Sequence, residues 1–411
     1  IELKKYYIRF WKIVQKISKI YCLKPYHIFL FTSLFFVFSN VVAQDFVEND
    51  STSSEELPKE EIDSIPEKKS FFHKIFNQTK PVTYLAFPLV SYTPETNLML
   101  GLGGVVSFRI KNDTNTASSY IIPWLTYSID KQMNAEIFGS FYHKSNKHQL
   151  DFEMNYKIQK QPYYGIGNKL EFDNKELVYT KGFRFYSVYQ NRIKDVFVIG
   201  PVYHIDYTTT VQPIEKGLLD TTNVIGKDGG FVQGLGLKVA FDNRDDVYFP
   251  YKGNYLAVSG VGYPNFMGSK YQFATVQAEY RSFINIKRKV IFASQIMSQM
   301  SFGDIPFYLM PKLGGDKLLR GYTAGTSRDK FLFNLQGELR VPISRFILSG
   351  FFGGGIAGDE FMDYFKVKEY SYSIGGGVRF KPFTDKNIVL RLDAGFWQKT
   401  FGFYFVFNEA F

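Results

Sequence analysis

The sequence predicts an all-β protein, a transmembrane antiparallel β-barrel of about 16 strands. Three observations support this prediction. Apolar and polar residues alternate from about residue 82 onwards, the N-terminus has the composition of a secretory signal, and the final residues form an aromatic run with the period of a strand. The hydrophobic fraction is only 45%. A moderate value suits a barrel, because only every second residue of a spanning strand faces lipid.

The first 43 residues have the three parts of a signal peptide. Residues 1–24 carry seven basic residues and one acid, an apolar run follows at His27–Phe38, and Val41 and Ala43 are placed for a cleavage site. We therefore expect cleavage between Ala43 and Gln44. An N-terminal membrane anchor is the alternative, but the apolar run is short for a full span.

Removal of this segment changes what the composition implies about partners. The formal charge of the chain is +10, and the loss of seven bases and one acid lowers it to +4. The basic character therefore belongs largely to the signal and does not indicate nucleic-acid binding. The only cysteine, Cys22, leaves with the signal, so we expect neither a disulfide nor a thiolate metal site in the mature chain. No cofactor is predicted.

Residues 44–80 are predicted to form an acidic periplasmic linker. Nine acids and one lysine lie between Asp45 and Glu67, and two prolines interrupt them. Such a composition cannot bury enough apolar surface to order itself. The remaining residues, 81–411, form the predicted barrel domain.

The barrel prediction depends on strand-length segments with a period of two. Clear cases are Leu150–Ile158, Phe331–Val341 and Tyr370–Phe380, where apolar side chains alternate with polar or charged ones. Successive side chains of a strand point to opposite faces. A soluble sandwich alternates similarly. The number of segments and their length, roughly 9–14 residues, favour strands that cross a bilayer at a tilt.

The lengths of the connections predict the orientation. With a periplasmic N-terminus, the long connections 160–176, 209–229 and 304–328 all lie outside the cell, and short connections lie in the periplasm. An even number of strands also returns the C-terminus to the periplasm.

The C-terminal run is predicted to place its phenylalanines on one face. These residues are Phe401, Phe403, Phe405, Phe407 and Phe411. A terminal aromatic residue on the lipid-facing side is similar to the sorting signal of bacterial outer-membrane barrels. We therefore predict that the protein lies in the outer membrane.

The stretch Leu313–Tyr322 lies between two strand-like segments and contains one unusual group of residues. This group is Gly314, Gly315, Arg320, Gly321 and Tyr322. Gly321 frees the backbone beside a guanidinium that makes five directed hydrogen bonds. The stretch resembles the conserved loop of the BamA/TamA outer-membrane assembly superfamily of bacterial surface antigen barrels. The resemblance implies an Arg-Gly-aromatic tip that folds back from the extracellular side into the lumen of a 16-stranded barrel.

Other stretches carry the same resemblance, in the family's order, over about residues 82–411. They are Phe87–Thr96, Tyr163–Asn168, Phe241–Gly253, Glu338–Pro342 and Gly375–Phe380.

The sequence departs from the family pattern in two ways. Residues 44–80 are too few for a periplasmic POTRA domain, so the chain resembles a barrel-only member. The acid that usually meets the loop arginine is replaced by Gly353. We therefore expect Arg320 to pair with another lumen-facing acid, and Glu338 and Asp393 are the candidates.

The resemblance implies assembly, insertion or translocation of proteins at the outer membrane, through a weak contact between the first and last strands. The candidate residues of that contact are Phe87, Pro88, Val90, Gly402, Phe405 and Phe407. Pro88 removes a backbone donor and Gly402 adds little packing. The implied partners are outer-membrane lipids and unfolded outer-membrane proteins, with a second copy of the chain or another assembly-machine subunit as further candidates.

A passive channel, or an accessory and structural barrel of an outer-membrane complex, is the alternative function. An enzyme is not expected, because the sequence has neither Gly-x-Ser-x-Gly nor His-Glu-x-x-His. Asp242, Asp245 and Asp246 could suggest calcium, but a solvated turn with Arg244 as counter-charge is the preferred interpretation.

Overall fold

A computed structural model describes most of the predicted barrel domain. The described residues are 82–93, 97–109, 116–168, 175–211, 217–286, 290–381, 389–398, 400–407 and 409–411. The predicted signal peptide and acidic linker lie outside these ranges. The side chains of Val90 and Phe407 are also outside the described part.

Sixteen antiparallel strands form one sheet that closes into a barrel. They are β1 (Val82–Thr93), β2 (Asn97–Phe108), β3 (Ser119–Ser128), β4 (Met133–His143), β5 (His148–Tyr163), β6 (Glu176–Ile193), β7 (Phe197–Val211), β8 (Gly230–Asp242), β9 (Gly253–Tyr263), β10 (Phe273–Asn285), β11 (Ile291–Gly303), β12 (Phe331–Ile343), β13 (Phe346–Gly358), β14 (Ser371–Phe380), β15 (Leu390–Trp397) and β16 (Thr400–Phe407). Each strand pairs with its neighbours in sequence, and β1 pairs with β16. The predicted fold class is confirmed.

The alternating sequence places apolar side chains outside and polar ones inside. On β12, Glu338 and Arg340 are 0% exposed, whereas Leu335 and Leu339 are 45% and 42% exposed. Soluble proteins bury leucine and expose charge. The reversed pattern is that of a barrel with an apolar outer face.

The connections divide the barrel into two unequal ends. One end, the short-turn rim, includes the turns 144–147, 194–196 and 344–345. The other end, the long-loop rim, includes the connections 164–175 and 304–330. The three long connections recognised in the sequence all lie at this second rim, because each follows an odd-numbered strand.

Helical structure in the described residues is confined to the long-loop rim. It consists of the single-turn α1 (Leu218–Thr221) and 3-10 helices at Asn265–Met267, Phe307–Leu309, Phe361–Phe365 and Val367–Glu369. No helix in this part of the chain is long and apolar enough to span a membrane.

The connection 304–330, here called the lumen loop, fills part of the barrel interior. Its Ile305 and Met310 pack with Val202 and Val232, which face inward from β7 and β8. Further along, Leu313, Leu319 and Tyr322 pack against Leu332 and Trp397. Burial of these apolar side chains stabilises the folded-back loop, as the sequence resemblance implied.

Candidate functional site

The tip of the lumen loop, Arg320–Tyr322, is a tight left-handed turn. Leu319 and Gly321 have φ angles of +50° and +99°, and the Tyr322 amide donates to the Leu319 carbonyl at 3.0 Å. Glycine adopts such angles freely, whereas leucine does so at a cost. The turn projects Arg320 away from the loop and towards the wall of β12–β15.

Arg320 lies between two acids and above an aromatic ring. Its Nη2 donates to Glu338 Oε2 at 2.7 Å, and its Nη1 donates to Asp393 Oδ2 at 2.5 Å. Its Cζ lies 3.5 Å from the ring centroid of Phe351. All three charged side chains are fully buried. The tip is therefore bound to β12, β13 and β15 by one side chain, and both candidate acids contact it.

A larger network of buried charges surrounds this contact. Its other members are Arg340, Arg379, Arg391 and Glu409. Arg379 links the two central acids, with Nη2 at 2.7 Å from Glu338 and Nη1 at 2.6 Å from Asp393. Buried ions are costly unless they are paired and hydrogen-bonded. The network pairs its charges by sharing each carboxylate among several guanidinium groups, while Arg320 Nε and Arg340 Nη1 have no hydrogen-bond partner among the described residues.

Glycines on β14 make room for the network. A Cβ at Gly375 would lie 2.3 Å from the Phe351 ring, and a Cβ at Gly377 would lie 2.0 Å from Asp393 Oδ1. The glycine-rich stretch of β14 therefore allows side chains of the neighbouring strands to reach Arg320. Sequence reasoning recognised this stretch as a motif but did not identify its role.

Gly353 lies on β13 close to the loop tip and supplies no charge to Arg320. A Cβ there would meet Gln336 at 3.1 Å and Leu319 at 3.5 Å. The charge that the family places at this position is supplied here by Glu338 and Asp393 on other strands.

The backbone of the tip touches the backbone of β15. A Cβ at Gly321 would lie 2.4 Å from the Gly395 carbonyl carbon, and a Cβ at Gly395 would lie 2.4 Å from the Arg320 carbonyl oxygen. Two side chains of β16 also bind Gly321. Its amide donates to Tyr404 Oη at 3.1 Å, and its carbonyl accepts from Thr400 Oγ1 at 2.8 Å.

Gly402 has a local role that the sequence did not reveal. A Cβ at this position would lie 2.3 Å from Tyr404 Oη. The absence of a side chain therefore allows the Tyr404 ring to fold back along β16 and reach Gly321. Beside it, the rings of Tyr322 and Trp397 are 4.4 Å apart, and burial raises the pKa of Tyr322 to about 12.

Gly314 and Gly315 lie at the base of the tip. Their φ angles are +96° and +106°, which glycine adopts at little cost. A Cβ at Gly314 would lie 2.6 Å from the Tyr322 carbonyl oxygen. The two glycines therefore let the outgoing and returning chains of the loop lie close together.

Among the strand pairings between described residues, the contact between β1 and β16, here called the seam, has the shortest register. Within the described residues its register consists of one pair, Tyr92 with Phe403. The shortest of the other pairings, between β14 and β15, has seven pairs. The Tyr92–Phe403 pair lies near the long-loop rim, so the rest of the seam towards the short-turn rim lacks a described register.

Side chains cross the seam where the register ends. The rings of Phe87 and Phe405 meet edge to face with centroids 6.3 Å apart. Pro88 is exposed on the outer face and lies opposite Leu102 of β2. Phe87, Pro88 and Phe405 therefore lie on the two strands whose pairing has the fewest described register pairs.

Phe411 is not on the lipid-facing side, so that part of the sequence prediction is wrong. β16 ends at Phe407, and the alternation does not continue to residue 411. Phe411 is 4% exposed and packs with Phe283 and Ala293, which face inward from β10 and β11. Phe403, in contrast, lies on β16 at the seam.

The carboxylates of the turn around Asp242 bind neighbouring residues of the same turn. Asp242 pairs with Arg244 at 2.8 Å, and Asp246 accepts the Tyr248 amide at 2.7 Å. The Asp245 carboxylate accepts the Tyr251 amide at 2.9 Å. These contacts agree with an ordinary hydrogen-bonded turn.

Among the described residues, two histidines are neighbours and the third lies elsewhere. His143 and His148 face each other on the β4–β5 turn, whereas His204 lies inside the barrel and binds Tyr263 Oη at 2.6 Å.

A closed 16-stranded barrel with an apolar outer face and an Arg-Gly-Tyr loop tip in its lumen is the architecture of a bacterial outer-membrane β-barrel protein. Comparison with family models agrees: residues 96–406 match the Omp85 superfamily domain. The chain belongs to the Omp85 superfamily, and the resemblance drawn from the sequence is confirmed. Membership of this family implies the bacterial outer membrane.

Solved structures share the fold. BamA from Haemophilus ducreyi lacking POTRA domains 1–3 matches with a TM-score of 0.52 and 11% identity, over 80% of this chain and 69% of that chain. CdiB from Escherichia coli matches with a TM-score of 0.52 and 11% identity, over 80% of this chain and 62% of that chain. CdiB from Acinetobacter baumannii matches with a TM-score of 0.50 and 11% identity, over 80% of this chain and 60% of that chain. The chain thus spans less than two thirds of either CdiB. No curated protein matches it.

Proposed function

We propose that this protein inserts or translocates other proteins at the outer membrane by opening the seam between β1 and β16. The observation that carries the proposal is a contrast between described residues, with one register pair at the seam and twelve between β1 and β2. Backbone hydrogen bonds of a barrel must be broken to open it. The seam is where the fewest would be lost.

The lumen loop supports this proposal because it holds β16 independently of β1. Gly321 is hydrogen-bonded to Tyr404 and Thr400 of β16, while Arg320 is bound to β12 and β15. When the seam opens, β1 therefore stays paired with β2, and β16 stays bound to the lumen loop and paired with β15. A strand of an unfolded substrate could then pair with an exposed edge by β-augmentation.

The orientation proposed from the sequence fits this route. With the N-terminus in the periplasm, the short-turn rim faces the periplasm and the long-loop rim faces outward. The part of the seam without a described register then begins on the periplasmic side, where unfolded outer-membrane proteins would arrive. The proposed partners are these substrates, the surrounding lipids, and a second copy of the chain or another assembly subunit.

The test is insertion of a urea-unfolded outer-membrane barrel into lipid vesicles that contain this protein. Tyr92 and Phe403 are opposite one another, so Tyr92→Cys/Phe403→Cys would close the seam with a disulfide. Leu102 and Leu125 are opposite one another on β2 and β3. Leu102→Cys/Leu125→Cys is the matched control, because it cross-links strands that need not separate.

We expect the protein to accelerate insertion over empty vesicles, the seam disulfide to abolish the acceleration, and a reductant to restore it. The control disulfide should leave the rate unchanged. No acceleration, with ion conductance instead, would count against the proposal and support the alternative of a passive channel. Equal inhibition by both disulfides would show that seam opening is not the step involved.

A further inference from the structure

Two neighbouring turns of the short-turn rim carry a group of cationic and imidazole side chains, here called the basic patch. Its members are Lys144, Lys147, Lys194, His143 and His148. The three lysines are exposed and the two histidines are half-buried. The histidine rings face each other across β4 and β5, with centroids 6.4 Å apart.

Hydrogen bonds hold the two turns in fixed positions. The Arg192 amide donates to the Lys147 carbonyl at 2.8 Å, which joins the first turn to the end of β6, and the Arg192 guanidinium donates to the Asp195 carbonyl of the second turn at 2.7 Å. The Ser145 amide donates to Thr116 Oγ1 at 2.8 Å, and Asn146 Oδ1 accepts from the Ala117 amide at 2.8 Å. The lysines therefore extend from an ordered surface, which lowers the entropy lost when they bind a ligand.

The positive charge of the patch is not neutralised by the residues around it. None of its three lysines forms an ion pair within the described ranges. Asp195 is the one acid of the two turns. The nearby Asp242 is already bound by Arg244 at 2.8 Å and Arg192 at 3.5 Å.

The patch continues directly into the apolar outer face. Tyr189 Oη lies 2.8 Å from His148 Nδ1, and the two rings stack with centroids 6.1 Å apart. Ile193 and Phe197, on the same side, are 48% and 51% exposed. Aromatic residues with a polar edge are typical of the level at which lipid head groups meet acyl chains.

We infer that the basic patch binds the head groups of anionic phospholipids. The lysine ammonium groups and imidazole N–H groups donate to the phosphate, and the acyl chains lie along Tyr189, Ile193 and Phe197. The inference rests on the proposed orientation, which places this rim in the periplasmic leaflet. In the strand order of the barrel, β4–β7 are not adjacent to β1 or β16. Bound lipid would therefore hold a part of the barrel that does not take part in seam opening.

Native mass spectrometry of the detergent-purified barrel tests this inference, with phosphatidylglycerol as probe and phosphatidylcholine as the neutral comparison. The test variant is Lys144→Gln/Lys147→Gln/Lys194→Gln. The matched control, Lys131→Gln/Lys227→Gln/Lys368→Gln, removes the same charge from the long-loop rim. A third variant, Lys144→Arg/Lys147→Arg/Lys194→Arg, keeps the charge.

We expect at least a fivefold loss of bound phosphatidylglycerol in the first variant and no loss in the other two. Binding of phosphatidylcholine should be unchanged throughout. An equal loss in the patch and control variants would mean unspecific attraction, and undiminished binding would mean that the patch is not the site. Either result overturns the inference. Because the measurement requires no insertion activity, failure of the insertion assay with lipid binding intact would count against the proposed function alone.

Discussion

Gly321 of the loop tip and Gly395 of β15 touch through their backbones, with no room for a side chain on either residue. A Cβ on Gly321 would lie 2.4 Å from Gly395, and a Cβ on Gly395 would lie 2.4 Å from the Arg320 carbonyl oxygen. This contact sets the depth of Arg320 in the barrel wall and brings its guanidinium to Glu338 and Asp393.

Gly395→Ala should displace the loop tip. The added methyl group cannot be accommodated without a shift of backbone, so we expect a loss of about 1–3 kcal/mol in the free energy of unfolding. Denaturant unfolding of the barrel in detergent measures it. Gly350→Ala on β13 is the control, since a Cβ there meets nothing within 4 Å. The same loss in both variants would contradict the role assigned to the Gly321–Gly395 contact.

Two buried arginines should respond in opposite ways to replacement by methionine. Arg320 has two acid partners, so Arg320→Met leaves buried carboxylates with fewer cations and should cost about 3–5 kcal/mol of stability. Arg328 is 2% exposed and forms no ion pair in the described residues, although Tyr163 and Phe307 lie 5.6 Å and 5.7 Å from its Cζ. Burial lowers the pKa of Arg328 to about 10. Arg328→Met should therefore be neutral or stabilising.

The denaturant midpoints of unfolding of the two methionine variants, compared with that of the unmodified protein, test whether the two substitutions change stability in opposite directions. If Arg328→Met were as damaging as Arg320→Met, the absence of an acid beside Arg328 would not be the relevant difference between them.

The seam should be visible in hydrogen exchange. In the part of the chain that the structure describes, β1 and β16 share one register pair, whereas β10 and β11 share thirteen. We expect peptides from β1 and β16 to exchange faster than peptides from β10 and β11, because local opening there breaks fewer backbone hydrogen bonds. Equal protection of the two strand pairs, measured by mass spectrometry, would argue against a weak seam.

The orientation can be measured with single cysteines in the mature chain. Ser145 lies in a turn of the short-turn rim and Asn223 lies in the long-loop rim, and both are exposed. A membrane-impermeant maleimide applied to intact cells should label Asn223→Cys and not Ser145→Cys. Disruption of the outer membrane should make both accessible. Labelling of Ser145→Cys alone in intact cells would reverse the orientation.

Much of the barrel follows from local pattern. The period of two determines which side chains of β12 face inward, because a pleated strand alternates its faces. The same period places Glu338 and Asp393 among the inward-facing acids. The lengths of the connections likewise separated the two rims, since antiparallel strands return to the same end at every second turn.

Other features depend on contacts between residues distant in sequence. The alternation of β16 gives no indication that the chain leaves the strand after Phe407 and buries Phe411 against Phe283. The sequence pattern also does not show whether a glycine weakens packing or leaves the space that a neighbouring group occupies. Gly402 leaves space for the Tyr404 ring, and Gly395 leaves space for the backbone of Gly321.

The sequence by itself determined the strands, the inward and outward faces, the two rims and the loop motif, because each depends on residues that are close along the chain. Only the tertiary structure decided the length of the seam register and that Arg320 contacts both candidate acids at once. These depend on how β1 meets β16 and on how a loop of the β11–β12 connection packs against β15, where side-chain volume and backbone distance across the closed barrel select one arrangement.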